Sequence, residues 1–276
     1  MIDGHVHLEK GEYCIKWVDE FISYALERGV KEIYFLEHTH IFQECQNLYN
    51  EMSMFNTYQS QWYAKKLKNA RPIDDYIKFI ELMKEWTFPI KIRFGLEVCY
   101  SPEHEKDIEK IKEIYPFDFL VGSIHFIDGW AFSHRRQPWK KEDFDLQALY
   151  SRYYELMYSL VQSGLFSGLA HPNSLQCFGA YPEGDYSMEY EKIAKGLKRN
   201  KMYIEQSSGL VINYGDMELG MNTEMLKFMV KYDIPIITAS DAHVPKNVGI
   251  ALNEAQSLVD EFRAQKNNDQ AKGDQP

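Results

Sequence analysis

The chain opens with Ile2-Asp3-Gly4-His5-Val6-His7-Leu8-Glu9. Its β-branched and apolar residues predict a strand over Ile2–Leu8. Side chains alternate faces along a strand, so His5 and His7 project to the same side. Two imidazoles on one side offer two nitrogens to a single cation. On its own this pairing is a weak signal. Its meaning depends on what the rest of the chain brings beside it.

Further strands are predicted at Glu32–Glu37, Ile90–Tyr100, Phe117–Ile124, Phe166–Ala170, Met202–Gln206 and Ile236–Ala239. The intervening segments read at helical period, with apolar stripes such as Trp17, Phe21, Tyr24, Ala25 and Ile73, Ile77, Ile80, Met83. A third stripe runs from Met225 through Phe228, Met229 and Tyr232. Seven strand–helix alternations imply an α/β fold with a parallel sheet. The count favours a closed or nearly closed barrel over a doubly wound sheet. One domain is expected over 1–264, followed by a polar, disordered tail over 265–276. The segment 41–71 breaks the rhythm with Phe42, Tyr49, Phe55, Tyr58, Trp62 and Tyr63. It follows a strand's C-terminal end, so in a barrel it sits at the mouth, as a lid or wall, or else packs on the barrel's side.

Composition narrows the function classes. The 276 residues are 45% hydrophobic and carry a net charge of −10. Such acidity disfavours long nucleic acids, whose affinity comes from clustered Lys and Arg. A small phosphorylated substrate needs only a local cationic site. No apolar run is long enough for a membrane helix, and no leader pattern is read at the N-terminus. Cys14, Cys45, Cys99 and Cys177 form no CxxC pair. That usage predicts a reduced, cytoplasmic protein. No glycine-rich phosphate loop follows a strand, so no nucleotide cofactor is expected.

The histidines then fall into place. His38 and His40 follow the second strand in LEHTH, His125 follows the fourth in VGSIHF, and His171 the fifth in GLAHP. His243 follows the seventh in SDAH. Glu97 in FGLEVCY and Asp241 share the pattern, whereas His104 and His134 lie away from strand ends. In a parallel barrel all strand C-termini meet on one face. Gathering these groups without a cation would be costly. Imidazole and carboxylate without thiolate suit Zn, Fe or Mn, and so many donors suit two or three ions, with Glu97 placed to bridge.

DGHVH at 3–7, EH at 37–38, GLE at 95–97, GSIHFIDGW at 122–130, AHP at 170–172 and SDAH at 240–243 resemble the polymerase and histidinol phosphatase (PHP) family, in particular its histidinol-phosphate phosphatase branch. The resemblance spans roughly residues 1–260. It implies a distorted (β/α)7 TIM-like barrel that hydrolyses phosphoesters with two or three divalent metals. It implies His5, His7, His38, Glu97, His125, His171, Asp241 and His243 as ligands, with Glu9, ahead of Glu12, as a further one. The implied reaction attacks phosphorus with a hydroxide held between metals, with Asp241, His243 and Glu97 in the catalytic set.

Two departures concern the substrate. Asn173 stands where many relatives have Asp after HP. Val211 lies where many carry a phosphate-holding Arg. Arg135 and Arg136 in SHRRQPW are the candidate replacements, since Arg suits bidentate phosphate binding, and the alternative is a solvated basic pair. His40 is placed to reach the substrate or to cap its loop. L-histidinol phosphate is the expected substrate. A phosphodiester, a mononucleotide or phosphotyrosine are alternatives within the family. An amidohydrolase is disfavoured because FDFLVGSIHF contains no Lys. A metal-stabilised binding protein is the non-enzymatic alternative. Trp130 and Phe132 wall the pocket or join the core, and the glycines of SSGL and NYG read as turns.

Overall fold

The computed structural model of the protein describes residues 1–215 and 218–273. Seven strands form one parallel sheet: β1 (Ile2–Val6), β2 (Glu32–His38), β3 (Lys91–Cys99), β4 (Phe119–Ser123), β7 (Gly168–Leu169), β8 (Tyr203–Ser207) and β9 (Ile236–Ala239). Their order in the sheet is their order in the chain. A short antiparallel hairpin, β5 (Phe126–Ile127) and β6 (Trp130–Ala131), stands apart. Its turn is Asp128-Gly129, with φ of 50° and 83°, the pairing that suits a two-residue hairpin loop.

Among the described residues the helices are α1 (Ile15–Glu27), α2 (Asn50–Phe55), α3 (Thr57–Lys68), α4 (Ile73–Lys84), α5 (Glu105–Ile114), α6 (Leu146–Ser163), α7 (Ser187–Arg199), α8 (Gly209–Tyr214), α9 (Thr223–Lys231) and α10 (Leu252–Gly273). The predicted stripes face inward: Phe21 and Ala25 of α1, Ile73, Ile80 and Met83 of α4, and Met225 and Met229 of α9 are buried. These apolar faces join the main hydrophobic core.

The first and last strands meet through a thin seam. His7 N donates to Ala242 O at 2.8 Å, and Ala242 N donates to His5 O at 3.3 Å. The buried Asp3 carboxylate reinforces it. Asp3 accepts from Ser240 N at 2.8 Å, Ser240 Oγ at 2.6 Å and Gly249 N at 2.9 Å. Side-chain bonds thus replace most of a strand ladder where the barrel closes.

Several boundaries differ from the sequence reading. β1 ends at Val6, and its register with β2 shifts between Asp3 and Val6. His7 therefore lies just past the strand, and a bulge rather than a regular pleat aims it. β7 keeps only Gly168–Leu169 of the predicted 166–170. The expected disordered tail is corrected over 265–273, which continues α10. There Lys266 Nζ donates to Val230 O at 3.1 Å, anchoring that helix to α9. Residues 274–276 lie outside the described residues.

The segment after β2 folds as 3-10 turns over Thr39–Ile41 and Gln43–Tyr49, then α2 and α3. Phe42 and Tyr49 are buried. Gln59 fastens α3 to the hairpin, donating to Gly129 O at 2.7 Å and accepting from Ala131 N at 3.0 Å. Glu51 of α2 meets His104 at 2.8 Å, which gives that histidine a partner away from the barrel mouth.

Candidate metal centre

At the C-terminal ends of the strands, imidazoles and carboxylates converge. His5 and His7 approach to 3.0 Å between Nε2 atoms, with rings crossed at 62°. Glu97, from the end of β3, lies between the histidines. Its Oε2 is 3.4 Å from His5 Nε2, 3.5 Å from His7 Nε2 and 3.2 Å from His38 Nε2. Its Oε1 is 2.9 Å from His171 Nε2 and 3.3 Å from His125 Nε2. Asp241 Oδ1 lies 3.5 Å from His7 Nε2 and 3.4 Å from His243 Nε2.

Three triads have donor atoms within 4.8 Å of one another: His7, His38 and His243; His5, His7 and Glu97; and Glu97, His125 and His171. Donors shared between triads suit adjacent ions rather than one isolated ion. Glu9 belongs to none of the triads. Its oxygens lie 3.4 Å from His38 Nδ1 and 3.2 Å from His243 Nδ1, so it faces both rings from the side opposite their Nε2 atoms. Glu12 is exposed.

The electrostatics fit a cation. Burial opposes charge on Glu97, yet His38, His125 and His5 hold its carboxyl well below the usual range. Burial pushes His125 down to about 3, leaving it a neutral donor. Burial also acts against a charged His38, but Glu97 and Glu9 together raise it to about 9. In that state a proton on His38 neutralises Glu97, a task a metal ion performs for several ligands at once. Glu97 Oε2 and His7 Nδ1 are buried without hydrogen-bond partners. Buried polar atoms are ordinarily satisfied, so the donor set fits a bound cation.

Backbone strain marks the same place. His171 and Asp241 have φ of 21° and 53°. Such conformations persist at sites whose surroundings enforce them. Gly209 abuts Asp241: a Cβ there would fall 2.6 Å from Asp241 Cβ. The expectation that this glycine is a turn is corrected. It begins α8, and its missing side chain makes room for Asp241. The NYG glycine, Gly215, does follow α8, at φ 76°.

The sequence reading missed the residues that hold the ligands. Glu205 accepts from His5 Nδ1 at 3.0 Å and from His171 N at 2.9 Å. Ser174 Oγ bonds His171 Nδ1 at 2.6 Å, and Asn213 Nδ2 donates to Asp241 Oδ2 at 3.2 Å. Partners of this kind set the tautomer and aim of a ligating ring. The signal for Glu205 was a lone acid within the otherwise strand-like MYIEQS.

A cavity of about 290 Å³ opens over the cluster. His38, His125, His171, Asp241 and His243 line it. Arg135 lies at its wall, donating to Asn213 O at 2.9 Å. His40, Tyr49 and Trp62 bring the segment after β2 to the same cavity. Arg136 instead lines an adjoining cavity. Phe132 is fully buried core, and Trp130 stacks on Phe144 at 4.7 Å. Asn173 is buried with both side-chain polar atoms unpartnered, outside the residues lining the cavity. No helix among the described residues is long and apolar enough to cross a membrane.

The chain is similar to a probable histidinol-phosphatase of Deinococcus radiodurans, at 24% identity over 92% of this chain and 91% of the relative. It is similar to a probable histidinol-phosphatase of Schizosaccharomyces pombe, at 22% identity over 94% and 86%. In three dimensions it overlays histidinol phosphate phosphatase from Lactococcus lactis, solved with zinc, L-histidinol and phosphate. The TM-score is 0.66 at 18% identity, covering 95% of this chain and 93% of that one. The PHP-associated family model matches residues 221–266. The PHP domain model matches residues 3–208, and the chain belongs to the PHP family.

Proposed function

We propose that the protein is a metal-dependent phosphomonoesterase that converts L-histidinol phosphate to L-histidinol and phosphate. The observation that carries the chemistry is the position of Glu97, whose two oxygens face two different histidine groups. The similarity to histidinol phosphatases along nearly the whole chain supports the substrate.

In this reading His5, His7, His38, Glu97, His125, His171, Asp241 and His243 hold two or three divalent ions, with zinc, manganese and iron all suited to the donors. Glu9 orients His38 and His243. Bound ions supply Lewis acidity and acidify water near neutral pH. Arg135 binds and orients the phosphoryl oxygens from the cavity wall. The Asp241 carboxylate orients the attacking water, and the proton that water loses passes to the departing alkoxide. Glu205 and Ser174 hold the rings of His5 and His171 in place. Tyr49, Trp62 and Tyr214 narrow the mouth and limit water entry.

The test pairs elemental analysis with phosphate release from L-histidinol phosphate, a mononucleotide and a phosphodiester. The reading requires two or three tightly held metals and fastest release from L-histidinol phosphate. A metal-free protein, or one that prefers either other substrate, overturns it.

A further inference from the structure

Beside the catalytic cavity lies a second, of about 640 Å³. The two share Glu9, Trp62, Ser133, His134 and Arg135 in their walls. The second is lined by six cationic side chains: Lys10, Lys65, Lys66, Arg71, Arg135 and Arg136. Among the described residues its only carboxylate is Glu9. That acid is engaged elsewhere, facing His38 and His243 at 3.4 and 3.2 Å. None of the six cations has a carboxylate within 4.0 Å among the described residues.

This concentration stands out on a chain of net charge −10. A concave site lined by one sign of charge focuses potential and attracts the opposite charge. The cations come from separate places: the turn after β1, the end of α3 and its loop, and the loop after β6. The tertiary fold therefore assembles the site, and no single basic run accounts for it. Lys66 connects the two cavities. Its Nζ lies 2.9 Å from Nε2 of His40, which lines the catalytic cavity. Trp62, 5.6 Å from His40 and 4.7 Å from His134 between ring centres, stands at the junction.

We propose that this cavity is a second anion subsite, and that the enzyme also takes phosphomonoesters whose leaving group carries a further phosphate or carboxylate. The proposal rests on the reading of the adjoining cluster as a phosphomonoesterase. One phosphoryl group occupies the cluster while the second anionic group lies among Lys10, Lys65 and Arg136. The step is an ordinary hydrolysis. Water oxygen bonds to phosphorus, the ester P–O bond breaks, and a proton from water goes to the leaving oxygen. L-Histidinol phosphate carries an ammonium on its leaving side, which gains nothing from these cations.

The experiment measures equilibrium binding and phosphate release for fructose 6-phosphate and fructose 1,6-bisphosphate, which differ by one phosphate. It compares the metal-loaded parent with the double variant Lys10→Ala/Lys65→Ala, both exposed positions. In the parent the bisphosphate binds at least about tenfold tighter, as expected for one added charge-assisted contact. In the variant that preference falls toward one, while fructose 6-phosphate binds as before. A preference near one in the parent overturns the proposal. So does a preference that survives in the variant, or a parallel loss for both ligands. A selective loss of bisphosphate binding in a protein that hydrolyses no phosphomonoester would retain the subsite and overturn the function proposed above.

Discussion

The cluster and the entrance beside it are built in opposite ways. The cluster residues sit at or just past strand ends, locked by a barrel whose strands pair in chain order. The entrance is made of short turns, two helices and loops, joined to the barrel by a few side-chain bonds such as those of Gln59. The cluster tolerates little displacement because its donors are shared. Glu97 alone faces five histidines within 3.5 Å. The entrance carries unpaired cations that act at longer range. Chemistry is thus placed on rigid elements and selection on variable ones.

The largest effect should come from the shared donor. Glu97→Ala removes the carboxylate that faces both histidine sets. Turnover should fall by on the order of a thousandfold or more, with metal content lost and the circular dichroism spectrum kept. Elemental analysis and phosphate release check this together. Retained activity would mean that the cluster is not the working part of the molecule.

The barrel seam beneath the cluster should register next. Burial holds the Asp3 carboxyl at about 6 against its ordinary 3.8. The folded state then binds that proton more tightly than the unfolded chain. Asp3's contribution is therefore full below about pH 4 and is lost as pH rises through about 6. The stability difference between parent and Asp3→Asn should decline over that window, by on the order of 3 kcal/mol at most. Urea unfolding of both proteins across the window measures it. A flat difference would mean that Asp3 titrates alike in the folded and the unfolded protein.

Changes behind the ligands should be milder. Glu205→Gln keeps the shape and removes the charge that aims His5. Metal affinity should fall about 10- to 100-fold by competition with a chelator. Gly209→Ala places a methyl against Asp241 and should slow turnover about tenfold with metal content retained. If Glu205→Gln leaves affinity unchanged, the rigidity ascribed to the cluster lies in the strands alone.

Legibility divides along the same line. The strands that carry the site were readable because periodicity and β-branched runs fall in order, and strand ends in a barrel share one face. His5, Glu97, His171 and Asp241 could be placed together on that reasoning alone. Glu205 could not, because a carboxylate within a strand gives no hint of which ring it will meet across the barrel. Nor could Gly209, whose role exists only once Asp241 packs on it. The hairpin at 126–131 had a readable signal in Asp128-Gly129 that a functional reading of the histidine motifs passes over. The cationic entrance was illegible, since Lys10, Lys65 and Arg136 are distant in sequence and meet only where the turn after β1, α3 and the loop after β6 come together. Arg135 and Arg136 read as one basic pair, yet they divide, with only Arg135 reaching the catalytic cavity.

The smallest predicted effect decides whether the segment 41–71 moves. Cys45 lies within it and Cys99 ends a barrel strand, both buried without disulfides. Burial pushes the Cys45 thiol up to about 12 and raises Cys99 as well. At pH 8 a thiol near 12 is ionised in only about one molecule in ten thousand, so both should react with a disulfide reagent only when their surroundings open. Half-buried Cys14 serves as the internal reference for an accessible thiol. Gln59 and Glu51 tie α3 and α2 to their neighbours, which favours a fixed wall. Cys45 should then label within about tenfold of the Cys99 rate, both far slower than Cys14, as read by mass spectrometry of timed samples. Labelling of Cys45 near the Cys14 rate while Cys99 stays protected would make the segment a lid. The cations of α3 would then meet an anionic substrate only when that lid is closed, so binding a bisphosphate would slow Cys45 labelling and leave Cys99 unchanged.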